Sequence, residues 1–187
     1  MQRSKRIILL SNCILNSNAK VEGLAKYKGA LKDIVKNLID LEYGIIQLPC
    51  PEMQLYGIKR WGHVKEQFDT PYFRKNCQVI LAPIIDQIVD YTRNGYIFEA
   101  VIGIDGSPSC GVNMTCSSVH WGGEVANEYG IQDKIKDIKL IQGQGVFMEE
   151  LKIALSVHKI EIPFIAVDEG NTASSTKEII KYLRGEI

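Results

Sequence analysis

The sequence predicts an α/β fold, a single doubly wound (Rossmann-like) domain with a parallel sheet of four to five strands. Short, continuous apolar runs are typical of strands buried on both faces. Segments with apolar residues at helical spacing lie between these runs, and this alternation indicates parallel strands joined by helices. The 187 residues fall within the usual size of one domain, so we expect residues 1–187 to form one domain.

Four apolar runs are predicted as strands of the sheet. They are Arg6–Ser11, Ile45–Leu48, Ala100–Ile104 and Pro163–Asp168. A fifth strand could lie at Ile138–Ile141, which also fits the end of a loop. Each run is short enough for a strand and too short for a typical buried helix.

Helices are predicted between these strands from the spacing of their apolar residues. They span about Leu24–Leu41, Pro71–Asn94 with a kink expected at Pro83, a segment around Phe147–Leu155, and a last helix after a capping box at Ser175–Glu178. Residues 52–69 and 112–130 have no clean period, and we expect long loops of the kind that cover a site. Gly143-Gln-Gly145 matches only part of a phosphate-loop pattern.

The composition excludes several classes of function. The 22 basic residues equal the 22 acidic residues, which argues against nucleic acid as a partner bound through a broad basic field. No apolar run has the ~20 residues of a membrane span, and the first residues read as a strand rather than a signal peptide. The five cysteines include no close CxxC pair, as expected for a cytoplasmic protein. No pattern specifies the oligomeric state.

Three of the cysteines are predicted to meet at one edge of the sheet. Cys13, Cys50 and Cys110 each follow a predicted strand, and ligands of open parallel sheets bind beyond the carboxyl ends of the strands. A buried thiol more often packs as a small apolar group, but that explanation fits three successive strand ends poorly. Cys77 lies on an apolar helix face and is assigned to the core. Cys116 is either structural or part of the same site.

Thiolate-only ligand sets favour iron–sulfur clusters, zinc or Cu(I). A [4Fe–4S] cluster ordinarily takes four cysteines. With three, one iron keeps an open position for a substrate, as in other catalytic metal sites.

Three short motifs, SNCILN, LPCPE and GSPSCG, resemble the signature blocks of the DUF523 family, which includes the thiouracil desulfurases. The resemblance covers about the first 115 residues. It implies an iron–sulfur-dependent desulfurase that removes sulfur from a small thiolated compound, such as a thiopyrimidine or thionucleoside, and releases sulfide. It also implies a [4Fe–4S] cluster held by Cys13, Cys50 and Cys110, with Glu52 and Ser107 as catalytic residues.

The chain departs from the family pattern in two places. Asn16–Gly23 replaces a second cysteine and a YDG-like turn, and Met53–Trp61 replaces a glycine-rich stretch with a Pro-Arg pair. These changes leave cluster binding in place and make the identity of the substrate an open question.

Other interpretations stay open at this point. Glu52 also fits a solvated loop carboxylate, and Ser107, before a proline, fits a residue that shapes a turn. Asp105 fits a turn residue better than a second acid. His63 and His120 either line the site or pack in surface loops. The whole chain could also be a non-catalytic cluster- or metal-binding module, or a nucleotide-binding Rossmann-like domain with structural cysteines.

Overall fold

A computed structural model describes residues 2–124 and 130–187. Its main sheet has four parallel strands in the order β2-β1-β3-β6. A second sheet pairs β4 and β5 antiparallel. The strands of the two sheets are β1 (Arg6–Leu10), β2 (Gly44–Gln47), β3 (Ile97–Ile104), β4 (Met114–Ser117), β5 (Lys139–Gln142) and β6 (Phe164–Val167). The predicted doubly wound α/β fold with a four-stranded parallel sheet is confirmed.

Eight helices lie between and after the strands in the part of the chain that the structure describes. They are α1 (Asn12–Leu15), α2 (Lys32–Asp40), α3 (Pro51–Tyr56), α4 (Lys65–Phe68), α5 (Pro71–Arg93), α6 (Ile131–Asp137), α7 (Val146–Val157) and α8 (Thr172–Leu183). A short 3-10 turn, Ser17–Ala19, follows α1. Within the described residues, no helix is both long enough and apolar enough to cross a membrane.

Alternate residues of each strand face two separate apolar layers, because successive side chains of a strand point to opposite faces. Ile7 and Leu9 of β1 belong to one buried cluster, with residues of α5 and α7. Ile8 and Leu10 belong to the other, with residues of α2 and α8. The sheet is therefore buried on both faces, which explains its continuous apolar strands.

Two helix starts differ from the prediction. The helix predicted from Leu24 begins at Lys32, because the helical spacing of apolar residues starts only at Leu31, and Leu24 itself is exposed. The capping box at Ser175 is also wrong. Asn171 caps α8 by accepting a hydrogen bond from the backbone N–H of Ser174, while Ser175 lies inside the helix and its hydroxyl accepts from the backbone N–H of Asp168.

The two predicted loops contain regular structure. Residues 52–69 include α3 and α4, and residues 112–130 include β4, which pairs with β5 at the position of the uncertain strand Ile138–Ile141. Residues 125–129 of the second predicted loop lie outside the described residues. Pro83 lies within α5, a helix of 23 residues that continues on both sides of it.

Candidate functional site

A cavity of about 280 Å³ lies beyond the carboxyl ends of β1, β2 and β3. Each strand leads into a segment that supplies one cysteine to the cavity wall. Cys13 lies in α1 directly after β1, Cys50 is the N-cap of α3 after β2, and Cys110 lies in the loop after β3. The structure thus brings together the three cysteines that the sequence placed at strand ends.

Burial dominates the chemistry of these thiols. It raises the pKa of Cys13 to about 12 and raises the pKa of Cys50 and Cys110 as well, because a thiolate loses its hydration in the cavity wall. The neighbouring Cys13 and Cys50 add to the increase at Cys110, so the three sulfurs act on one another. A bound cation would reverse this preference, since it favours the thiolate.

The described residues contain no group of three or more His, Cys, Asp or Glu side chains arranged to hold a single metal ion. The three thiols share one cavity without closing on one ion-sized point.

The loop that carries Cys110 is held by two side chains within it. Oδ1 of Asp105 accepts hydrogen bonds from the backbone N–H groups of residues 112–114, at 2.8–3.1 Å. The hydroxyl of Ser107 accepts from the backbone N–H of Cys110 at 3.0 Å and of Ser109 at 3.3 Å. Asp105 is therefore the turn residue that the sequence favoured, and Ser107 also shapes the turn.

The start of α7 fixes the same loop from the other side. The backbone N–H of Val146 donates to the carbonyl of Pro108, and those of Phe147 and Met148 donate to the carbonyl of Ser109. These are the amides that a helix N-terminus leaves without partners inside the helix. The Gly143-Gln-Gly145 segment thus leads into a helix whose first amides bind the protein's own loop, and the suggested phosphate loop is not favoured.

Gly145 makes this contact sterically possible. A Cβ at this position would lie 2.4 Å from the carbonyl carbon of Ser109 and 2.9 Å from the nitrogen of Cys110. Only glycine allows so close an approach without a shift of the loop.

Glu52 lies in the cavity wall as a buried residue, not as a solvated loop carboxylate. Its Oε2 accepts a hydrogen bond from Nε of Arg60 at 3.2 Å, and its Oε1 accepts from the hydroxyl of Ser109 at 2.5 Å. Arg60 also donates to the carbonyls of Ala19 and Gly57. The carboxylate of Glu52 is therefore held at both oxygens. The Ser109 hydroxyl that binds Oε1 also lies 3.6 Å from the sulfur of Cys110.

This arrangement can position a carboxylate as a proton acceptor beside three cysteine sulfurs. An ion pair with side chains only 3% and 11% exposed is costly to desolvate. The two hydrogen bonds from Arg60 and Ser109 keep the Glu52 carboxylate in one orientation, which general acid–base chemistry requires.

The remaining candidates divide between the cavity and the surface. Cys116 lines the cavity and donates to the carbonyl of His63. His63 also lines it and stacks on Phe68 with ring centroids 4.9 Å apart. His120 is exposed and pairs with Asp137, outside the cavity wall. Cys77 is fully buried in the apolar core, as the sequence predicts.

A family model described as "Putative 2-thiouracil desulfurase" matches residues 5–129. The chain belongs to this family. A curated relative, the uncharacterized protein MJ0003 of Methanocaldococcus jannaschii, is 43% identical over 110 residues, which are 59% of this chain and 70% of the relative. No solved structure matches.

The match to the desulfurase family includes the three cavity cysteines and Glu52, but it ends before α7. The sequence had not singled out several residues of the cavity wall, among them Lys20, Arg60, Ser109 and Glu169. Ser109 was the easiest to find, since it precedes Cys110. Arg60 and Glu169 come from segments with no motif, so only the folded chain reveals them.

Proposed function

We propose that this member of the desulfurase family is a [4Fe–4S]-dependent desulfurase that hydrolyses the C–S bond of a small thiolated compound and releases sulfide. The observation that supports it most is the joint position of Cys13, Cys50 and Cys110 in the wall of one cavity. Glu52 lies in the same wall, in a buried hydrogen-bond network. No nucleic-acid or membrane partner is part of the proposal.

The residues present fit an iron–sulfur cluster. All three donors are soft sulfur ligands, and they come from three separate strand ends. Cysteine thiolates are the usual ligands of iron–sulfur clusters. A cytoplasmic location would keep these free cysteines reduced.

When bound, the cluster would supply a Lewis-acidic iron with an open position for the sulfur of the substrate. The overall reaction converts C=S and water into C=O and hydrogen sulfide. The water oxygen forms the new bond to carbon, the bond to sulfur breaks, and both protons of water end on sulfur. No electron is gained or lost, so no redox partner is needed.

The chain's own residues handle the protons. Glu52 accepts a proton from the attacking water, directly or through the Ser109 hydroxyl, which donates to Oε1. As Ser109 passes its proton to Glu52, its oxygen accepts one from water, and the reverse transfer delivers a proton to the departing sulfur. The second proton leaves the hydroxyl on carbon as the C=O bond forms, and it reaches the sulfur by the same route. Arg60 donates to Oε2 and fixes the orientation of the carboxylate.

Ser107 has a different place in this scheme. Its hydroxyl accepts the backbone N–H groups of Ser109 and Cys110, so it supports the loop. The Ser107 hydroxyl uses both of its acceptor sites but can still donate one hydrogen bond. The catalytic role of Ser107 therefore stays a prediction.

The test is anaerobic reconstitution with iron and sulfide, followed by a sulfide-release assay with 2-thiouracil and related thiones. We expect a brown protein whose iron content falls in each single cysteine-to-serine variant of the three cavity positions. Cys77→Ala, in the core, is the matched control and should keep the cluster. Glu52→Gln should keep the colour and lose turnover.

A colourless protein with intact thiols would contradict the cluster. A coloured protein that releases no sulfide from any thione would instead identify a cluster-binding module without this chemistry. Nucleotide affinity unchanged in all three cysteine variants would favour a nucleotide-binding domain.

A further inference from the structure

A second charged pair lies in the cavity wall, on the side of Cys13. Glu169 follows β6, and Lys20 follows the 3-10 turn, so the pair joins segments 149 residues apart. Nζ of Lys20 lies 2.5 Å from Oε2 of Glu169, and the two side chains are 12% and 14% exposed. Both charges act on the Cys13 thiol, Lys20 lowering its pKa and Glu169 raising it.

Oε1 of Glu169 is buried and accepts no hydrogen bond of normal geometry from the described residues. The Tyr27 hydroxyl lies near this carboxylate, and burial and the carboxylate's charge both raise the pKa of Tyr27, but the hydroxyl donates to the carbonyl of Cys13. Four buried side-chain polar atoms share this condition in the described part of the chain, and three of them belong to residues that line this cavity: Asn12, His63 and Glu169.

An unsatisfied buried acceptor costs free energy unless something donates to it. The concentration of such atoms around one cavity gives its wall several polar groups that a bound polar molecule can satisfy. The cavity volume of about 280 Å³ lies just below the range of drug-sized pockets, ~300–1,000 Å³, so the ligand is small.

The chemistry of the pair defines what that ligand presents. Oε1 of Glu169 can accept a hydrogen bond from the ligand. The Lys20 ammonium has three N–H donors; one of them binds Oε2 of Glu169, and the others can donate to the ligand. An acceptor beside a donor complements an N–H beside a C=O or C=S, the edge of a cyclic amide or thioamide. The pair has no net charge, which favours a neutral ligand.

We infer that Glu169 and Lys20 form the subsite that recognises the N–H-bearing edge of the ligand, and that they select neutral cyclic amides and thioamides. The inference depends on the proposed function only in one respect, namely that the natural ligand contains sulfur. Lys20 lies inside the matched residues 5–129 and Glu169 lies outside them, so the acidic half of this subsite comes from the C-terminal third of the chain.

The test measures binding rather than turnover, by calorimetry on anaerobically purified protein. The probes are uracil and 1,3-dimethyluracil, which lacks both N–H donors. We expect wild-type protein to bind uracil at least ~10-fold more tightly than its dimethyl derivative, since a hydrogen bond to a charged group is worth about 1.5–3 kcal/mol. Glu169→Gln should remove most of this preference.

The matched control is Glu161→Gln, the same change at an exposed position outside this cavity, which should leave the preference unchanged. The comparison of the two probes on wild-type protein needs no variant, so the inference can still be tested if Glu169→Gln does not fold. Equal affinity of wild-type protein for the two probes, or an undiminished preference in folded Glu169→Gln, would overturn the inference. N–H-dependent binding without sulfide release would refute the proposed function and leave the subsite standing.

Discussion

The hydroxyl of Ser109 donates a 2.5 Å hydrogen bond to Oε1 of Glu52, a residue 57 positions earlier in the chain. The bond joins the loop after β3 to the helix after β2. It also connects the buried carboxylate to the neighbourhood of the Cys110 sulfur, so one serine joins the proposed acid–base group to a proposed cluster ligand.

This contact separates the roles of the two serines. In Ser109→Ala, sulfide release per bound cluster should fall at least ~10-fold, because a hydrogen bond to a charged group is lost while the loop keeps its backbone contacts. In Ser107→Ala, the backbone N–H groups of Ser109 and Cys110 lose their acceptor, so iron content should fall. Paired iron analysis and turnover assays measure both effects. The opposite pattern would assign catalysis to Ser107.

Arg60→Met should destabilise the fold by about 3 kcal/mol or more, because it leaves the buried carboxylate of Glu52 without its charged partner. Urea unfolding monitored by circular dichroism measures the change. Lys36→Met is the matched control, since Lys36 pairs with Asp40 on the exposed face of α2 and such pairs contribute only about 0.5 kcal/mol. An equal decrease in the free energy of unfolding in the two variants would show that the Glu52–Arg60 pair contributes no more than an exposed ion pair.

Gly145→Ala should destabilise the protein by about 1–3 kcal/mol, the usual cost of overpacking, and should reduce iron binding. The added Cβ would displace the backbone of Ser109 and Cys110. Gly130 offers a close control, because it is likewise a helix N-cap and a Cβ there meets no described atom within 4 Å. Unfolding curves and iron content of the two alanine variants give the comparison. Equal behaviour would show that the loop tolerates the extra atom.

His63 predicts a pH dependence of stability. Burial lowers the pKa of its imidazole, whereas in the unfolded chain the pKa is about 6.5. The unfolded state therefore binds more protons as the pH falls, so this contribution to stability is complete above pH ~6.5 and is lost below it. His63→Asn should show a smaller fall in urea midpoint between pH 7.5 and 5.5 than wild type.

The exposed His158, at the end of α7, provides the control. His158→Asn should keep the wild-type fall in midpoint. A His63→Asn variant with an undiminished fall would mean that another group titrates in this range.

Much of this fold could be predicted because its signals are local. The short apolar runs of β1, β2, β3 and β6 reflect burial on both faces, and strand polarity then places Cys13, Cys50 and Cys110 at one edge. The start of α2 was missed because amphipathic spacing starts only at Leu31. The cap of α8 was predicted at Ser175 because Ser175 and Glu178 have the spacing of a capping box, but both lie inside the helix that Asn171 caps.

The parts of the site that escaped prediction depend on contacts between distant segments. Arg60 reaches Glu52 only because the chain after α3 turns back on itself, and it also binds the carbonyl of Ala19. Glu169 meets Lys20 only when β6 takes its place beside β3. Neither position has a neighbouring motif, so no periodicity or spacing rule identifies it.

The contact between α7 and the Cys110 loop shows what the matched region lacks. Residues 5–129 hold all three cavity cysteines, but the amides that position the third come from residues 146–148. The hydrogen bonds that these residues give the loop come from their backbone groups, so residue type at these positions does not reveal them. A fragment cut to the matched residues would carry every proposed ligand and lack the helix that holds Cys110 in place.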